Sequence, residues 1–181
     1  MLEGKLIRLR SIEEEDLEYY YSWANDAELA RLVLGMATPY SRGQLIKQWN
    51  SYSQSPYHDL LLTLETLSEK APIGFCFLRN IHPIHRFAEL EQFFIGEEKY
   101  RHNGYGRDAI ETLLTYCFAE LNLNRIWLIT YAYNLVGMQF YEQCGFLKEG
   151  VLREVQFTRG RFHDGIMMAI LKKDWLSQNP D

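Results

Sequence analysis

The chain is short of cysteine: Cys76, Cys117 and Cys144 are the only three among 181 residues. They are odd in number, far apart and form no CxxC pair, which argues against a disulfide framework or a zinc site. Reduced, mostly buried thiols are the expectation. His82 and His85 stand three apart with Pro83 between them. No other ligand clusters with them, so they read as a loop pair and no metal is expected. No apolar run approaches the roughly 20 residues of a membrane span, and the start MLEGKLIRLR lacks a signal peptide's apolar core. A cytoplasmic protein without a membrane partner is therefore expected. Basic residues are in deficit too, 19 Lys and Arg against 24 Asp and Glu, for a net charge of −5. A general nucleic-acid binder is usually basic, so no nucleic-acid partner is expected. There is no repeat, low-complexity segment or interdomain linker, and residues 1–181 read as one domain.

Against these absences stands one stretch rich in signals, YRHNGYGRDAIETLL, from Tyr100 to Leu114. From Gly106 onward, Ala109, Ile110, Leu113, Leu114, Cys117, Phe118 and Leu121 follow the three-and-four spacing of one buried helix face. Gly104 and Gly106 in front of it allow a tight turn and close approach to backbone N–H groups. The first N–H groups of a helix lack internal partners and lie at the positive end of its dipole. Lys99, Arg101, His102 and Arg107 add positive charge. Together these describe an anion site, with phosphate first among the anions it suits and a bland glycine-rich turn as the alternative. Neither a Walker A ending nor a dinucleotide fingerprint is present.

Coarse elements follow from periodicity and punctuation. Lys5 to Arg10 alternates as a strand. Ser11, with Glu14 as its capping-box partner, opens a helix to about Asn25. The acidic residues Glu13, Glu14, Glu15, Asp16 and Glu18 form a solvated helix face or an attraction for a cationic substrate. A loop with Gly35 and Pro39 precedes a second helix from Ser41 to about Ser53. Strands are expected at Asp59–Leu67, Ile73–Ile81 and Phe87–Ile95, then the glycine-fronted helix, then a strand at Arg125–Tyr131. Asn134 caps a short helix, Leu135–Cys144, and two strands, Leu147–Phe157 and Phe162–Leu171, flank a turn at Thr158–Arg161. The order is that of a mixed α/β layer fold.

This order resembles the GNAT superfamily of N-acetyltransferases. Its phosphate-loop pattern, Arg/Gln-x-x-Gly-x-Gly/Ala, stands here as Arg101-His102-Asn103-Gly104-Tyr105-Gly106, with His102-Asn103 in place of the more usual Gly and Lys. A second signature is matched by Asn134, Tyr141 and Gly145-Phe146. The stretches WANDAELARLVLG and GVLREVQFTRGRFHDGIMMAILKKDW look like the Rim-type (ribosomal-protein-acetylating) and spermidine-acetylating branch, and the match spans nearly the whole chain. The resemblance implies a mostly antiparallel central sheet of about seven strands flanked by about four helices. That sheet would splay between its fourth and fifth strands. It also implies acetyl-CoA as cosubstrate, its pyrophosphate held by amides from Arg101 through His102, Asn103, Gly104, Tyr105 and Gly106 to Arg107. The pantetheine arm would run along Phe94, Ile95 and Gly96, with Asn134 nearby.

Acetyl transfer to an amine needs a base, a donor for the oxyanion and an acid for the leaving thiolate. Glu91, ahead of Glu89, is the candidate base, the alternative being a pairing with a neighbouring cation. A backbone N–H near Ile95 is the oxyanion donor. Tyr141 is the candidate acid, two helical turns after Asn134 and on its face, with core packing as the alternative. Cys117 and Cys144 lack activating neighbours, so direct attack in a ternary complex is preferred to a covalent route. The family puts the acceptor at about Trp23–Tyr40, Tyr52–Tyr57 and Gln156–His163, stretches rich in Tyr and Phe with Asp26, Glu28 and Asp164 interspersed. The expected partner is a primary amine, on a small cationic molecule or a protein N-terminus, with the N-terminus placed slightly ahead. The chain would act as a monomer or homodimer. A catalytically silent coenzyme A sensor or docking protein is the other class kept open.

Overall fold

The computed structural model describes residues 2–35, 37–52 and 59–179. Eight strands form one sheet, β1 (Leu2–Glu3), β2 (Ile7–Ser11), β3 (Leu60–Thr66), β4 (Pro72–His82), β5 (Phe87–Ile95), β6 (Arg125–Tyr131), β7 (Leu147–Thr158) and β8 (Arg161–Leu171). Six helices accompany them, α1 (Leu17–Ala24), α2 (Ala27–Val33), α3 (Arg42–Tyr52), α4 (Tyr105–Ala119), α5 (Leu135–Gln143) and α6 (Lys172–Gln178). Short 3-10 turns at Glu14–Asp16 and Glu98–Tyr100 complete the set. The strand order is β1-β2-β3-β4-β5-β6-β8-β7.

Every neighbouring pair is antiparallel except β5 and β6. Those two run parallel, joined by the α4 crossover that a parallel connection requires. They pair at only three positions, Phe87 with Arg125, Ala88 with Ile126 and Glu89 with Trp127. Beyond Glu89 the strands part, so the expected splay between the fourth and fifth strands is present, β1 being a short addition at the sheet's edge.

Two apolar clusters sandwich the sheet. One joins the buried face of α4 (Ala109, Ile110, Leu113, Leu114, Cys117, Phe118) to Ile7, Leu64, Leu90, Ile126 and Phe146. The other packs Tyr20, Trp23 and Leu45 of α1 and α3 on Phe75, Phe77 and Phe94. Ala88 and Leu90 therefore face α4, whereas Phe94 faces α1. Between Leu90 and Gln92 the β4–β5 register shifts, and Glu91 is the extra residue of a bulge.

Asp108, in the first turn of α4, is the main polar tie between layers. Its carboxylate accepts from the backbone N–H groups of Lys5 (2.8 Å), Leu6 (2.7 Å) and Ile7 (3.0 Å). The start of α4 is thereby fixed to the lead-in of β2.

Three local expectations are corrected. Ser11 does not cap a helix; it is the last residue of β2, paired with Leu62. The capping box belongs to Glu13 and Asp16, two residues further on. Asp16 is not part of a solvated face, because it is only 3% exposed and binds Arg10 and Thr63. Burial alone would raise its proton affinity, but Arg10, the Glu13 N–H and Thr63 hold the carboxyl below the usual range. The segment after Asn25 is not all loop: Asp26 caps α2 by accepting from Glu28 and Leu29 N–H groups. Helix α6 follows β8 directly and packs Trp175 on Phe118.

Replacing Asp108 by Ala removes one acceptor from three backbone donors. A loss of about 3 kcal/mol of folding stability is expected, given the strength of hydrogen bonds to charged groups. Urea unfolding should show it as a lower midpoint at unchanged slope, and an unshifted midpoint would remove Asp108 from this role.

Candidate active site

Where β6 leaves β5, the backbone of β5 loses a partner on one side. Gly96 N–H donates to Ile73 O of β4 at 2.7 Å. The same trans peptide sends its carbonyl, that of Ile95, the opposite way, and in extended backbone the Ile95 N–H shares that direction. The N–H of Ile95, and by the two-residue period that of Phe93, therefore point into the wedge between β5 and β6.

The mouth of the wedge is formed by the glycine loop and α4. Gly104 sits at the N-cap with φ 87° and ψ −17°, a left-handed conformation that glycine adopts without strain. No side chain caps this helix. Asp108 N–H is the first to close an intrahelical bond, to Gly104 O at 3.0 Å, which leaves the amides of Tyr105, Gly106 and Arg107 facing outward. Uncapped amides at the positive end of a 15-residue helix are suited to an anion. Gly106 lies in ordinary contact range of Phe140, where a Cβ would be 3.4 Å from the ring.

The cations expected around this mouth are largely engaged. Arg101 donates through Nε to Ile95 O (3.0 Å) and through Nη2 to Gly96 O (2.7 Å). Arg107 pairs with Glu111 at 2.8 Å, one helical turn on. Lys99 lies over the Tyr100 ring, 4.6 Å from its centroid. Asn103 binds Lys99 O at 2.9 Å and so shapes the loop. His102 is exposed, with φ 60°. Tyr105 packs edge-on against Tyr100.

Helix α5 forms the other wall. Asn134 caps it, accepting from Gly137 N–H at 3.0 Å, while its Nδ2 donates to Leu32 O of α2 at 3.4 Å. Tyr141 packs edge-on against Phe140 and Phe146. Burial, with Cys76 and Cys144 nearby, raises its phenol well above the ordinary range, so it stays protonated. Burial likewise pushes the thiols of Cys117 and Cys144 up to about 12, which leaves no reactive thiolate at neutral pH.

The two carboxylates of β5 separate in character. Glu91, on the bulge, accepts from Arg79 Nη1 at 3.0 and 3.1 Å and is bound as an ion pair. Glu89, at the crotch of the wedge, accepts from Asn80 Nδ2 at 3.0 Å. Burial raises its proton affinity, the Asn80 bond opposes this, and the Glu91 charge adds to it. The sequence ranks Glu91 first; in the fold Glu91 is held by Arg79, and Glu89 by Asn80.

Of the carboxylates expected at the acceptor end, Asp26 caps α2 through Oδ1, Asp164 accepts from the Glu154 N–H through Oδ1, and Glu28 is exposed in the first turn of α2. Residues 53–57 of that expectation lie outside the described residues. A tyrosine pair that the sequence pattern did not single out occupies the seam between α2 and β6. Tyr131 and Tyr133 stack 5.5 Å apart, His163 packs edge-on against Tyr133, and the Tyr133 hydroxyl donates to Arg31 O at 2.7 Å. Burial pushes the Tyr133 phenol up to about 12. Tyr131 ends β6 and Tyr133 lies in the turn that follows, closed by the Asn134 N–H on Tyr131 O at 2.8 Å, so strand alternation gave no signal for the pair. Among the described residues, no group of three or more His, Cys, Asp or Glu is placed to hold a metal ion, and no helix is long and apolar enough to cross a membrane.

Comparison with known proteins bears directly on this geometry. Residues 7–147 match the family model described as an acetyltransferase (GNAT) domain. The spermidine N(1)-acetyltransferase of Vibrio cholerae is 30% identical over 174 residues, covering 96% of this chain and 97% of that protein. The spermidine N(1)-acetyltransferase of Escherichia coli K12 is 28% identical over 173 residues, covering 96% and 90%. Among solved structures, the Vibrio cholerae spermidine N-acetyltransferase in complex with CoA and spermine superposes with a TM-score of 0.84 at 31% identity, covering 94% of this chain and 98% of that one.

The two loop glycines should respond differently to alanine. Gly104→Ala forces a side chain into a left-handed position and should cost about 1 kcal/mol. Gly106→Ala has room and gains helix propensity, so its stability should match or exceed wild type by up to about 1 kcal/mol. Thermal or urea unfolding of the two variants checks the ordering, which the reverse result would overturn.

Proposed function

The chain belongs to the GNAT acetyltransferase family, and we propose that it acetylates a primary amine of a small polyamine-like acceptor, with acetyl-CoA as donor. One observation carries this reading: the uncapped, glycine-fronted start of α4 opens directly onto the wedge where β5 presents free N–H groups. An anion seat beside a row of backbone donors suits a ligand with a pyrophosphate at one end and an amide-bearing arm at the other. Acetyl-CoA is such a ligand, and it supplies an acyl group activated as a thioester. The amides of Tyr105, Gly106 and Arg107 would hold the pyrophosphate, assisted by exposed His102. Of the strand end Phe94, Ile95 and Gly96 expected for the arm, Ile95, together with Phe93 two residues back, would hold it through the wedge-facing N–H groups, with Asn134 on the opposite wall; the Phe94 ring faces α1 and the Gly96 N–H is bound to Ile73 O.

The residues then divide the chemistry. Glu89 takes the proton that the attacking amine sheds as its nitrogen bonds to the acyl carbon. The Ile95 N–H, or that of Phe93 two residues back, receives the negative charge developing on the acyl oxygen. As the carbon–sulfur bond breaks, the Tyr141 hydroxyl gives its proton to sulfur. A phenol is neutral at physiological pH and so carries the proton that the departing sulfur needs, and the raised affinity of Glu89 is suited to accept. Support for a small-molecule acceptor, ahead of a protein N-terminus, comes from the spermidine acetyltransferases that match nearly the full chain. Support for direct attack comes from the thiols held protonated by burial.

The deciding experiment follows thiol release from acetyl-CoA with spermidine, spermine, an amino sugar and peptides of varied N-termini. Polyamines are expected to exceed the peptides in kcat/KM by at least about tenfold. Preference for a peptide would return the acceptor to a protein N-terminus. Absence of thiol release with every amine, despite coenzyme binding, would favour the silent sensor.

Tyr141→Phe should lower kcat by about a hundredfold with acetyl-CoA affinity nearly unchanged. Near-normal turnover, with chemistry limiting, would leave Tyr141 a packing residue.

The pH profile tests Glu89. It works only when ionised, and its raised affinity places that ionisation above the ordinary glutamate value of about 4.3. Activity should therefore climb with pH through that ionisation, and Glu89→Gln should remove this step and lower kcat/KM. Glu91→Gln should do neither; the opposite pattern would restore Glu91 as base.

A further inference from the structure

We infer that Arg101 is a positioning residue, whose guanidinium sets the direction of the free Ile95 amide and leaves phosphate to the backbone of the loop. The inference rests on the coenzyme reading above. Arg101 is the first residue of the glycine loop, yet its side chain turns back to the end of β5. Nε reaches Ile95 O at 3.0 Å and Nη2 reaches Gly96 O at 2.7 Å. Two adjacent donors on one rigid plane thus grip two consecutive carbonyls, a grip lysine cannot reproduce.

The grip matters because of which carbonyl is held. Ile95 O lies on the wedge side of β5, where no strand pairs with it. In extended backbone, fixing that carbonyl fixes the N–H of the same residue, the donor aimed into the wedge. The other side of the segment is equally constrained. Gly96 N–H is bound to Ile73 O at 2.7 Å. A Cβ on Gly96 would fall 2.1 Å from Trp23 Cδ2, so the indole closes that face. The Trp23 Nε1–H donates to Glu97 Oε1 at 3.3 Å. Arg101 is the one of these holds that belongs to the glycine loop itself. It ties the anion seat to the donor row, and so fixes the separation between the two ends of the ligand.

A phosphate ligand and a positioning residue differ in what their removal changes. Removing a phosphate ligand weakens binding of the nucleotide half of the coenzyme. Removing a positioning group leaves that half bound and misaligns the reacting end. Arg101→Met and Arg101→Lys should be compared with wild type by calorimetry using 3′-phosphoadenosine 5′-diphosphate, and by kcat at saturating acetyl-CoA. Nucleotide affinity is expected to stay within about twofold, while kcat falls at least about tenfold in the Met variant and less in the Lys variant. A tenfold loss of nucleotide affinity (about 1.4 kcal/mol), or an unchanged kcat, would overturn the inference. Should Arg101→Met fail to fold, Arg101→Lys carries the same comparison, since it keeps the charge without the second donor. Failure of wild type to bind both this nucleotide and coenzyme A would instead strike the coenzyme reading itself.

Discussion

The parting of β5 and β6 after three residue pairs is the constraint around which the rest is arranged. A sheet that stays paired has no free backbone donors within it; unpaired donors in a buried setting cost stability unless something satisfies them. Here one strand end and one helix start present such donors, and they adjoin. The parallel pairing explains why. A parallel partner needs a crossover, the crossover is α4, and α4 begins next to the end of the strand it leaves. Free N–H groups from two kinds of element thus meet at one place by topology, without a dedicated side chain.

Such an opening needs bracing. On one wall, Asp108 ties α4 to the lead-in of β2 through three backbone N–H bonds. On the other face, Trp23 abuts Gly96 while packing edge-on against Phe75 and Phe94. The network of Arg10 with Asp16 and Glu65 pins the turn ahead of α1 to β2 and β3. These bonds concern element positions more than net stability, because a buried carboxylate with full bonding mainly avoids a penalty.

Much of this was legible in the sequence, for a definite reason. Strand β6 and helix α4 carry clear periodicity, and β5 and β6 fall on their expected bounds, while α4 starts one residue earlier and ends two residues before Leu121. Helix α2 escaped notice although Asp26 with Glu28 in the first turn and Arg31 in the last supplied cap and charge signals; seven residues give periodicity little to show. Ser11 misled because the same residue type suits a cap and a strand end, and pairing with Leu62 decided it. The partners of Glu89 and Glu91 were beyond local pattern. They turn on one extra residue in the β4–β5 register and on Arg79, twelve residues from Glu91, arriving from the next strand.

The basic residues of the glycine loop teach the same lesson about charge. Counted along the chain, Lys99, Arg101, His102 and Arg107 make a cationic patch. In the fold, Arg101 is bound to carbonyls, Arg107 to Glu111, and Lys99 rests on an aromatic ring. What remains for an anion is mostly amide dipoles fixed in direction. Free cations on flexible stems would attract any polyanion, with an affinity that salt erodes. Fixed amides attract only a group that fits their spacing, and they do not move when charge arrives. A chain of net charge −5 repels polyanions at long range. On the coenzyme reading proposed above, a seat built from backbone is how such a chain would hold a phosphate, selecting by shape where a basic patch would select by charge.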